Sequence, residues 1–208
     1  MTNKLLDAPP ITMKSGDEHI IGTDKKLLDF WRWGFSDVLN NTTRGIFAEH
    51  LVATALGIAT SPRITVDPYD LTYNGLTIEV KSCAYIQSWK QRRPSKVSFD
   101  IAETRLYDYE KGTYVGEKKR QADVYLFALL IHTDRETINP LDASQWMFYV
   151  MPTSLQDEKL GSQQKMSFST LLKLGASAVS ISEIPTSLAT LMVHENILGL
   201  SGSRSSSL

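Results

Sequence analysis

The sequence predicts an α/β fold with a mixed central β-sheet flanked by helices, and three observations lead to this class. Two helix-like segments come first in the ordered part of the chain, a β-hairpin follows them, and strands mixed with helices come last. This order of elements is typical of a mixed sheet flanked by helices. The chain has 208 residues, 42% of them hydrophobic, which suits one domain with a sizeable core.

The helices and strands can be assigned in chain order from periodicity and stop signals. Residues 25–39 have the pattern of an amphipathic helix, and a second helix at about 44–56 follows the N-cap candidates at 40–43. A hairpin is predicted at about 65–83, and 105–120 is predicted to be a long surface excursion. Later strands are expected at 97–101, 122–132, 146–151 and 176–184, and later helices at 167–174 and 187–194. The run at 122–132 is nearly all apolar, which predicts a strand buried on both faces.

A single domain is predicted at 24–200, preceded by a weakly ordered segment at 1–23 and followed by a disordered Ser/Gly tail at 201–208. No apolar run approaches the roughly 20 residues that span a bilayer, and the N-terminus lacks the apolar core of a signal peptide. Cys83 is the single cysteine, which excludes an internal disulfide and a multi-cysteine zinc site within one chain. We therefore expect a cytoplasmic protein that does not enter a membrane.

Positive charge is concentrated in one part of the chain. Residues 81–120 contain ten Lys/Arg and five Asp/Glu, a difference of +5, whereas the whole chain has a formal charge of −1. The loop after the hairpin carries Lys90, Arg92, Arg93 and Lys96. These four side chains are candidates for contact with nucleic-acid phosphates. An ordinary exposed loop explains them equally well.

The hairpin is the most informative feature. Asn74-Gly75 lies between two runs rich in β-branched and aromatic residues, a strong signal for a two-residue turn. Such a turn places Asp70 opposite Glu79, and the alternation of side chains puts both acids on one face with Lys81. Like charges placed opposite each other destabilise a sheet, and a bound cation would remove that cost. The hairpin therefore suggests a metal site.

Glu49 in the second helix supplies a further acid. It lies in an apolar arc with Ile46, Val52 and Leu56, and a buried carboxylate is costly unless it is paired or bound to a metal. Because this helix directly precedes the hairpin, Glu49 is placed to reach the acidic face.

Asp70, then Glu79-Val80-Lys81 on the next strand, and Glu49 on the preceding helix resemble the PD-(D/E)XK nuclease superfamily. The resemblance covers roughly residues 40–132, with a further strand at 146–151. One feature departs from the family, which often has Pro-Asp as its first element, whereas Asp70 follows Tyr69. Asp67, which precedes Pro68, is an alternative first acid of the motif. It differs from Asp70 by an odd number of residues and should therefore point to the opposite face of the strand.

The resemblance implies a restriction-endonuclease-like core and a Mg²⁺-dependent deoxyribonuclease, with Mn²⁺ as a substitute. By carry-over, Asp70, Glu79 and the backbone carbonyl of Val80 would bind the metal, and Lys81 would orient the attacking water and stabilise the transition state. Glu49 would bind the metal directly or through water, or would orient Lys81. Family members often carry a glutamine or lysine downstream of the motif, which makes Gln87 a further candidate. DNA is the implied partner, and a homodimer is a further expectation because many proteins of this fold cut two strands as dimers.

Two other classes of function stay open at this stage. The chain could be a catalytically inactive nucleic-acid-binding or assembly subunit with the same fold. It could also be an interaction protein in which Asp70, Glu79 and Lys81 form only salt bridges on a solvated strand face, each contributing about 0–1 kcal/mol.

Overall fold

The computed structural model describes residues 9–64, 67–108 and 110–197, which form a mixed α/β fold. The tail at 201–208 and residues 1–8 of the predicted N-terminal segment lie outside the described residues. The helices are α1 (Leu27–Phe35), α2 (Asn41–Ala55), α3 (Thr153–Leu160), α4 (Phe168–Lys173) and α5 (Ile184–Ile197). The strands are β1 (Leu71–Tyr73), β2 (Leu76–Ala84), β3 (Ser98–Asp100), β4 (Thr104–Asp108), β5 (Thr113–Lys119), β6 (Val124–Leu130), β7 (Trp146–Pro152), β8 (Lys165–Ser167) and β9 (Ala178–Val179).

The central sheet of the described residues has five strands in the order β1-β2-β6-β7-β9. The pair β2–β6 is parallel, and the other three pairs are antiparallel. Two smaller sheets accompany it, one formed by β3 with β8 and one by β4 with β5. The predicted mixed sheet flanked by helices is thus confirmed.

Each face of the central sheet has its own core. On one face, the apolar side chains of β2, β6 and β7 pack against α2 and α5. On the other face, side chains of β6 and β7 pack against β3, β8 and α4. All seven residues of β6 are buried, as expected for a strand covered on both sides.

The hairpin has the predicted turn and register. Leu71 pairs with Ile78, Thr72 with Thr77, and Tyr73 with Leu76. Asn74 and Gly75 have φ of +49° and +83°, which is the backbone of a turn whose twist matches that of the flanking strands. The apolar side of this hairpin belongs to the core that contains α2, so its polar side chains face away from that helix.

We expect Gly75→Ala to destabilise the protein by about 1–2 kcal/mol, because an L-residue in the left-handed region costs about that much. Gly45→Ala in α2 is the matched control. A Cβ at either glycine meets no atom within 4 Å, but Gly45 has a helical backbone, so its replacement should stabilise by about 0.5–1 kcal/mol. Urea denaturation of both variants checks the opposite signs. Equal effects on the free energy of unfolding would contradict the role of the turn.

Several predicted elements differ from the observed ones. The first helix spans only 27–35 and has no buried residue, because it lies on the surface beside the segment that precedes it. The strand expected at 176–184 shrinks to β9, since Ser180 and Glu183 form a capping box that turns the chain into a short 3₁₀ helix. The surface excursion at 105–120 contains the hairpin β4–β5, and α3 was not predicted.

The N-terminal segment from residue 9 has a defined backbone path in the structure. The amide of Leu28 donates to the carbonyl of Gly16 at 2.9 Å, and the amide of Leu27 donates to the backbone carbonyl of Glu18 at 2.9 Å. In the described part of the chain, no helix has both the length and the apolar character needed to cross a membrane.

Candidate active site

Glu79 and Lys81 occupy the polar face of β2. Alternation places both on the face opposite Ile78 and Val80, whose side chains lie in the core with α2. The ammonium of Lys81 donates to a carboxylate oxygen of Glu79 at 2.5 Å, and the two side chains are 30% and 18% exposed. They form a half-buried ion pair beside β6, where Tyr125 is the register partner of Glu79.

Asp70 lies at the outer edge of β2, one residue before β1. Its amide donates to the carbonyl of Ile78 at 3.0 Å, and its carboxylate accepts from the amide of Val80 at 2.8 Å. In a strand, the N–H and C=O of one residue point to the same side. The carbonyl of Val80 is therefore directed towards the edge where the Asp70 carboxylate lies, beyond the last paired residue of β1.

Glu49 reaches the same edge from α2. It is 8% exposed, in keeping with its position in an apolar arc. Its carboxylate accepts two hydrogen bonds from the Arg63 guanidinium, one from Nε and one from Nη2 at 2.9 Å. The same Nη2 lies 3.8 Å from an Asp70 carboxylate oxygen. Arg63 thus joins Glu49 and Asp70.

The site concentrates negative charge. Burial, together with the nearby charges of Glu79 and Glu49, raises the pKa of Asp70 to about 7. Burial lowers the pKa of Lys81, but the charges of Glu79, Asp70 and Asp100 outweigh it, and the net pKa of Lys81 is raised. Hydrogen bonding to Glu49 likewise raises the pKa of Arg63. The two cations therefore stay charged, while Asp70 exchanges a proton near neutrality.

The donor set fits a Mg²⁺ ion bound by few protein ligands. Among the described residues, no three His, Cys, Asp or Glu side chains are arranged to hold a metal ion, and Glu49 is paired with Arg63. The Asp70 carboxylate and the Val80 carbonyl nevertheless lie at one strand edge, and the Glu79 carboxylate on the adjoining polar face is close enough for its charge to raise the pKa of Asp70. Mg²⁺ is commonly bound by one or two carboxylates and keeps several waters. In this arrangement, Glu49 acts on the site through Arg63.

A groove of about 950 Å³ opens beside the site. Apolar side chains of α1 and α2 line much of it, including Trp31, Phe35 and Phe47. Glu49, Arg63 and Asp70 also line this groove, whereas Glu79 and Lys81 do not. The site is therefore accessible from the side of α2 through the Asp70 edge.

The basic loop that follows β2 presents its cations to solvent. Lys90, Arg92, Arg93 and Lys96 are all exposed. The loop is held in shape by Gln91, whose side-chain oxygen accepts from the amide of Gln87 at 2.8 Å and whose side-chain amide donates to Ser95 at 2.8 Å. The four cations remain candidates for contact with phosphates.

Gln87 is placed differently from the other candidates. It is 6% exposed, its side-chain oxygen accepts from Arg44 at 3.0 Å, and its amide donates to the Ala84 carbonyl at 2.8 Å. Because this amide is engaged inside the protein, Gln87 is not placed to contact nucleic acid at the surface. Its partner Arg44 is likewise buried and is only 3% exposed.

Sequence reasoning missed Arg63 and Asp100. Arg63 follows Ser61-Pro62 in a segment without periodicity, so spacing gives no indication of its direction. The only signal was indirect, because a buried Glu49 requires a positive partner of some kind. Asp100 ends β3, whose register with β8 no local pattern indicated.

The raised pKa of Asp70 predicts a pH-dependent stability of the metal-free protein. The folded pKa of about 7 lies above the ordinary value of 3.8, so the folded state binds the proton more tightly and stability falls as pH rises between these values. Asp70→Asn should therefore raise the free energy of unfolding at pH 8 by at least about 1 kcal/mol, or about 2–4 °C in Tm. The gain should shrink towards pH 4.

Thermal melting in EDTA at several pH values checks this expectation. Asp24→Asn is the matched control, because Asp24 is 84% exposed. A gain for Asp70→Asn that is the same at pH 4 and pH 8 would contradict the electrostatic cause.

Comparison with protein-family models, with curated proteins and with solved structures finds no match to this chain. The geometry of the site therefore carries the functional argument.

Proposed function

We propose that this chain is a metal-dependent nuclease with a restriction-endonuclease-like core that hydrolyses phosphodiester bonds in DNA. The observation that carries the proposal is the Asp70 carboxylate bound to the amide of Val80, beside the Glu79–Lys81 pair on the same strand. The order of elements supports the proposed core. A helix with an acid precedes the hairpin, and the strand with Glu79 and Lys81 pairs in parallel with the buried strand β6.

Charge balance explains why such a site needs a metal ion. Three carboxylates, those of Glu49, Asp70 and Glu79, lie with the two cations Arg63 and Lys81. With Asp70 ionised, the formal sum is −1, which repels a phosphodiester. A divalent cation at Asp70 and Glu79 reverses that sign and makes the edge attractive to the substrate.

The residues then have distinct roles. Asp70, Glu79 and the Val80 carbonyl would hold Mg²⁺, which supplies a more acidic bound water and neutralises charge on the phosphate. Lys81 stays protonated and donates to the attacking water or to a phosphate oxygen. Arg63, held by Glu49, would bind a second phosphate oxygen at the same edge. Lys90, Arg92, Arg93 and Lys96 bind the DNA backbone further along.

Two measurements on the wild-type chain test the proposal. Plasmid DNA should be cut when Mg²⁺ or Mn²⁺ is present and should stay intact in EDTA. Calorimetry with Mn²⁺ alone should show binding that weakens below pH 7, because the proton on Asp70 competes with the metal. Absence of both cleavage and metal binding would contradict the proposal.

A catalytically inactive nucleic-acid-binding or assembly subunit is the second candidate. It is favoured by the Glu49–Arg63 pair, because this pair engages the Glu49 carboxylate that would otherwise be a further metal ligand. This candidate predicts a gel shift with DNA, no metal uptake in calorimetry and no cleavage. The two functions are therefore separated by the same pair of measurements.

A further inference from the structure

The hairpin β4–β5 forms an arm, defined here as the described residues 104–108 and 110–119, that is not part of the central sheet. In the described residues, its two strands pair only with each other. Apart from partly covered Asp108 and Val115, every described residue of the two strands is exposed. The arm is therefore a two-stranded ribbon with both faces open to solvent.

The base of the arm is held by the hydrogen bonds and the ion pair of Arg120. The side chain of Arg120 is 0% exposed, and its guanidinium donates to the carbonyls of Ile101, Gly161 and Gln163 at 2.9, 2.9 and 3.0 Å. It also pairs with Asp157 at 2.6 Å. Since Ile101 precedes β4 and Arg120 follows β5, these bonds fasten both ends of the arm to the loop after α3.

The register separates the charges of the arm between its two faces. Tyr107 pairs with Tyr114, and Thr104 pairs with Lys119 across an irregularity in the ladder. Alternation along β4 puts Arg105 on the face of Tyr107 and Thr104 on the other face. Lys119 shares the face of its partner Thr104, so its neighbour Lys118 lies on the face of Tyr107. This face, the tyrosine face, holds Arg105, Tyr107, Tyr114 and Lys118.

Within the described strands β4 and β5, the tyrosine face is positive and carries no acid. The two rings meet edge to face at 5.2 Å, and Tyr114 is 64% exposed. The acids Asp108 and Glu117 lie on the opposite face, where Asp108 is already paired with Lys111 at 2.8 Å. Among the described residues, Arg105 and Lys118 form no ion pair. An exposed surface with two cations and two aromatic rings has the chemistry that recognises nucleic acid.

The arm begins close to the candidate active site. It starts four residues after Asp100, whose charge acts on Lys81. A nucleic-acid strand bound at Lys81 would therefore pass near the base of the arm.

We propose that the tyrosine face of the arm binds duplex DNA in the major groove. This inference rests on the proposed function and extends it by naming the form of the substrate. The major groove of B-form DNA, about 12 Å wide, admits a two-stranded β-ribbon, whereas the deep, narrow major groove of an RNA duplex does not. Arg105 and Lys118 bind phosphates at the rim of the groove, and the tyrosines contact base edges.

Adjacent lysines give a matched test. Lys118→Ala and Lys119→Ala remove the same charge from neighbouring positions on opposite faces, and Arg105→Ala removes the other cation of the tyrosine face. Binding of a fluorescent DNA duplex of about 20 base pairs is measured by anisotropy in EDTA over a range of salt concentrations. An RNA duplex of the same sequence and a single-stranded oligonucleotide are run beside it.

We expect the double variant Arg105→Ala/Lys118→Ala to weaken binding of the DNA duplex by about tenfold or more and to reduce the slope of log K against log salt by about 1.8. Lys119→Ala should change the affinity by less than about twofold, and the RNA duplex should bind more weakly and respond to none of the variants. Equal effects of Lys118→Ala and Lys119→Ala would overturn the assignment to one face. Unchanged affinity in the double variant would overturn the proposal as a whole.

A second readout separates this inference from the nuclease proposal. Cleavage of the single-stranded oligonucleotide with Mn²⁺ depends on the edge of β2 and should be retained by the arm variants. The wild-type chain could bind the DNA duplex through the tyrosine face without cleaving any substrate. In that case the nuclease proposal fails and the arm inference stands. Cleavage with no duplex binding by wild type would overturn the arm inference alone.

Discussion

Replacing Lys81 by methionine is expected to lower the rate of DNA cleavage by about 10³-fold or more without unfolding the protein. Methionine keeps most of the side-chain length but removes the ammonium that pairs with Glu79 on the polar face of β2. Loss of one positioned donor to a transition state typically costs about 10²–10³ in rate, and loss of a full charge adds to this. Initial rates on a defined oligonucleotide with Mn²⁺ measure the effect.

Lys159→Met is the control for this change, because Lys159 is 49% exposed and forms only a surface pair with its neighbour Glu158. It should cleave at the wild-type rate. Both variants should show cooperative thermal melting, so that a lost activity cannot be assigned to a lost fold. Cleavage by Lys81→Met within tenfold of wild type would remove Lys81 from the catalytic site.

Replacing Arg120 by methionine is expected to give the largest loss of stability, about 3–5 kcal/mol. Its guanidinium satisfies three backbone carbonyls and the Asp157 carboxylate from a fully enclosed position. Removing one partner of a buried, hydrogen-bonded charge leaves the other groups unpaired, which carries a cost of this size. For a domain of this length, the fall in Tm is roughly 6–20 °C.

Urea denaturation measures the Arg120 effect, and Arg32→Met provides the comparison. The Arg32 side chain is 70% exposed, so its loss should change the free energy of unfolding by no more than about 0.5 kcal/mol. A loss below 1 kcal/mol for Arg120→Met would show that the loop after α3 does not depend on this guanidinium.

Much of the fold could be predicted because periodicity and turn chemistry are local. Asn74-Gly75 set the register of the first hairpin, and the apolar run around Leu126 identified a strand covered on both faces. Helix α3 was missed because Pro152 marks the end of β7 and was not recognised as the residue that leads into a helix. The arm was missed because its strands are charged on both faces and have no buried side that would produce an alternating pattern.

The candidate site, like the fold, could be predicted only where the sequence pattern is local. The hairpin pattern predicted Glu79 and Lys81 on one polar face, and the apolar arc around Glu49 predicted its burial, as observed. Asp70 was predicted opposite Glu79 on that face, whereas its carboxylate lies at the strand edge and accepts from the amide of Val80. The partner of Glu49 could not be predicted, because Arg63 lies in an irregular segment where side-chain direction depends on tertiary packing. The buried contact between Gln87 and Arg44 joins residues 43 positions apart, and no local pattern indicates such a contact.

The different lengths of β1 and β2 have a consequence for self-association. Strand β1 has three residues and β2 has nine, so β1 covers only the first part of the outer edge of β2. Beyond Ile78, the Asp70 carboxylate, instead of a neighbouring strand, accepts a hydrogen bond from the amide of Val80. A charged group at an open edge discourages intermolecular strand pairing. Because Asp70 already engages the Val80 amide, we expect it also to reduce edge-to-edge aggregation.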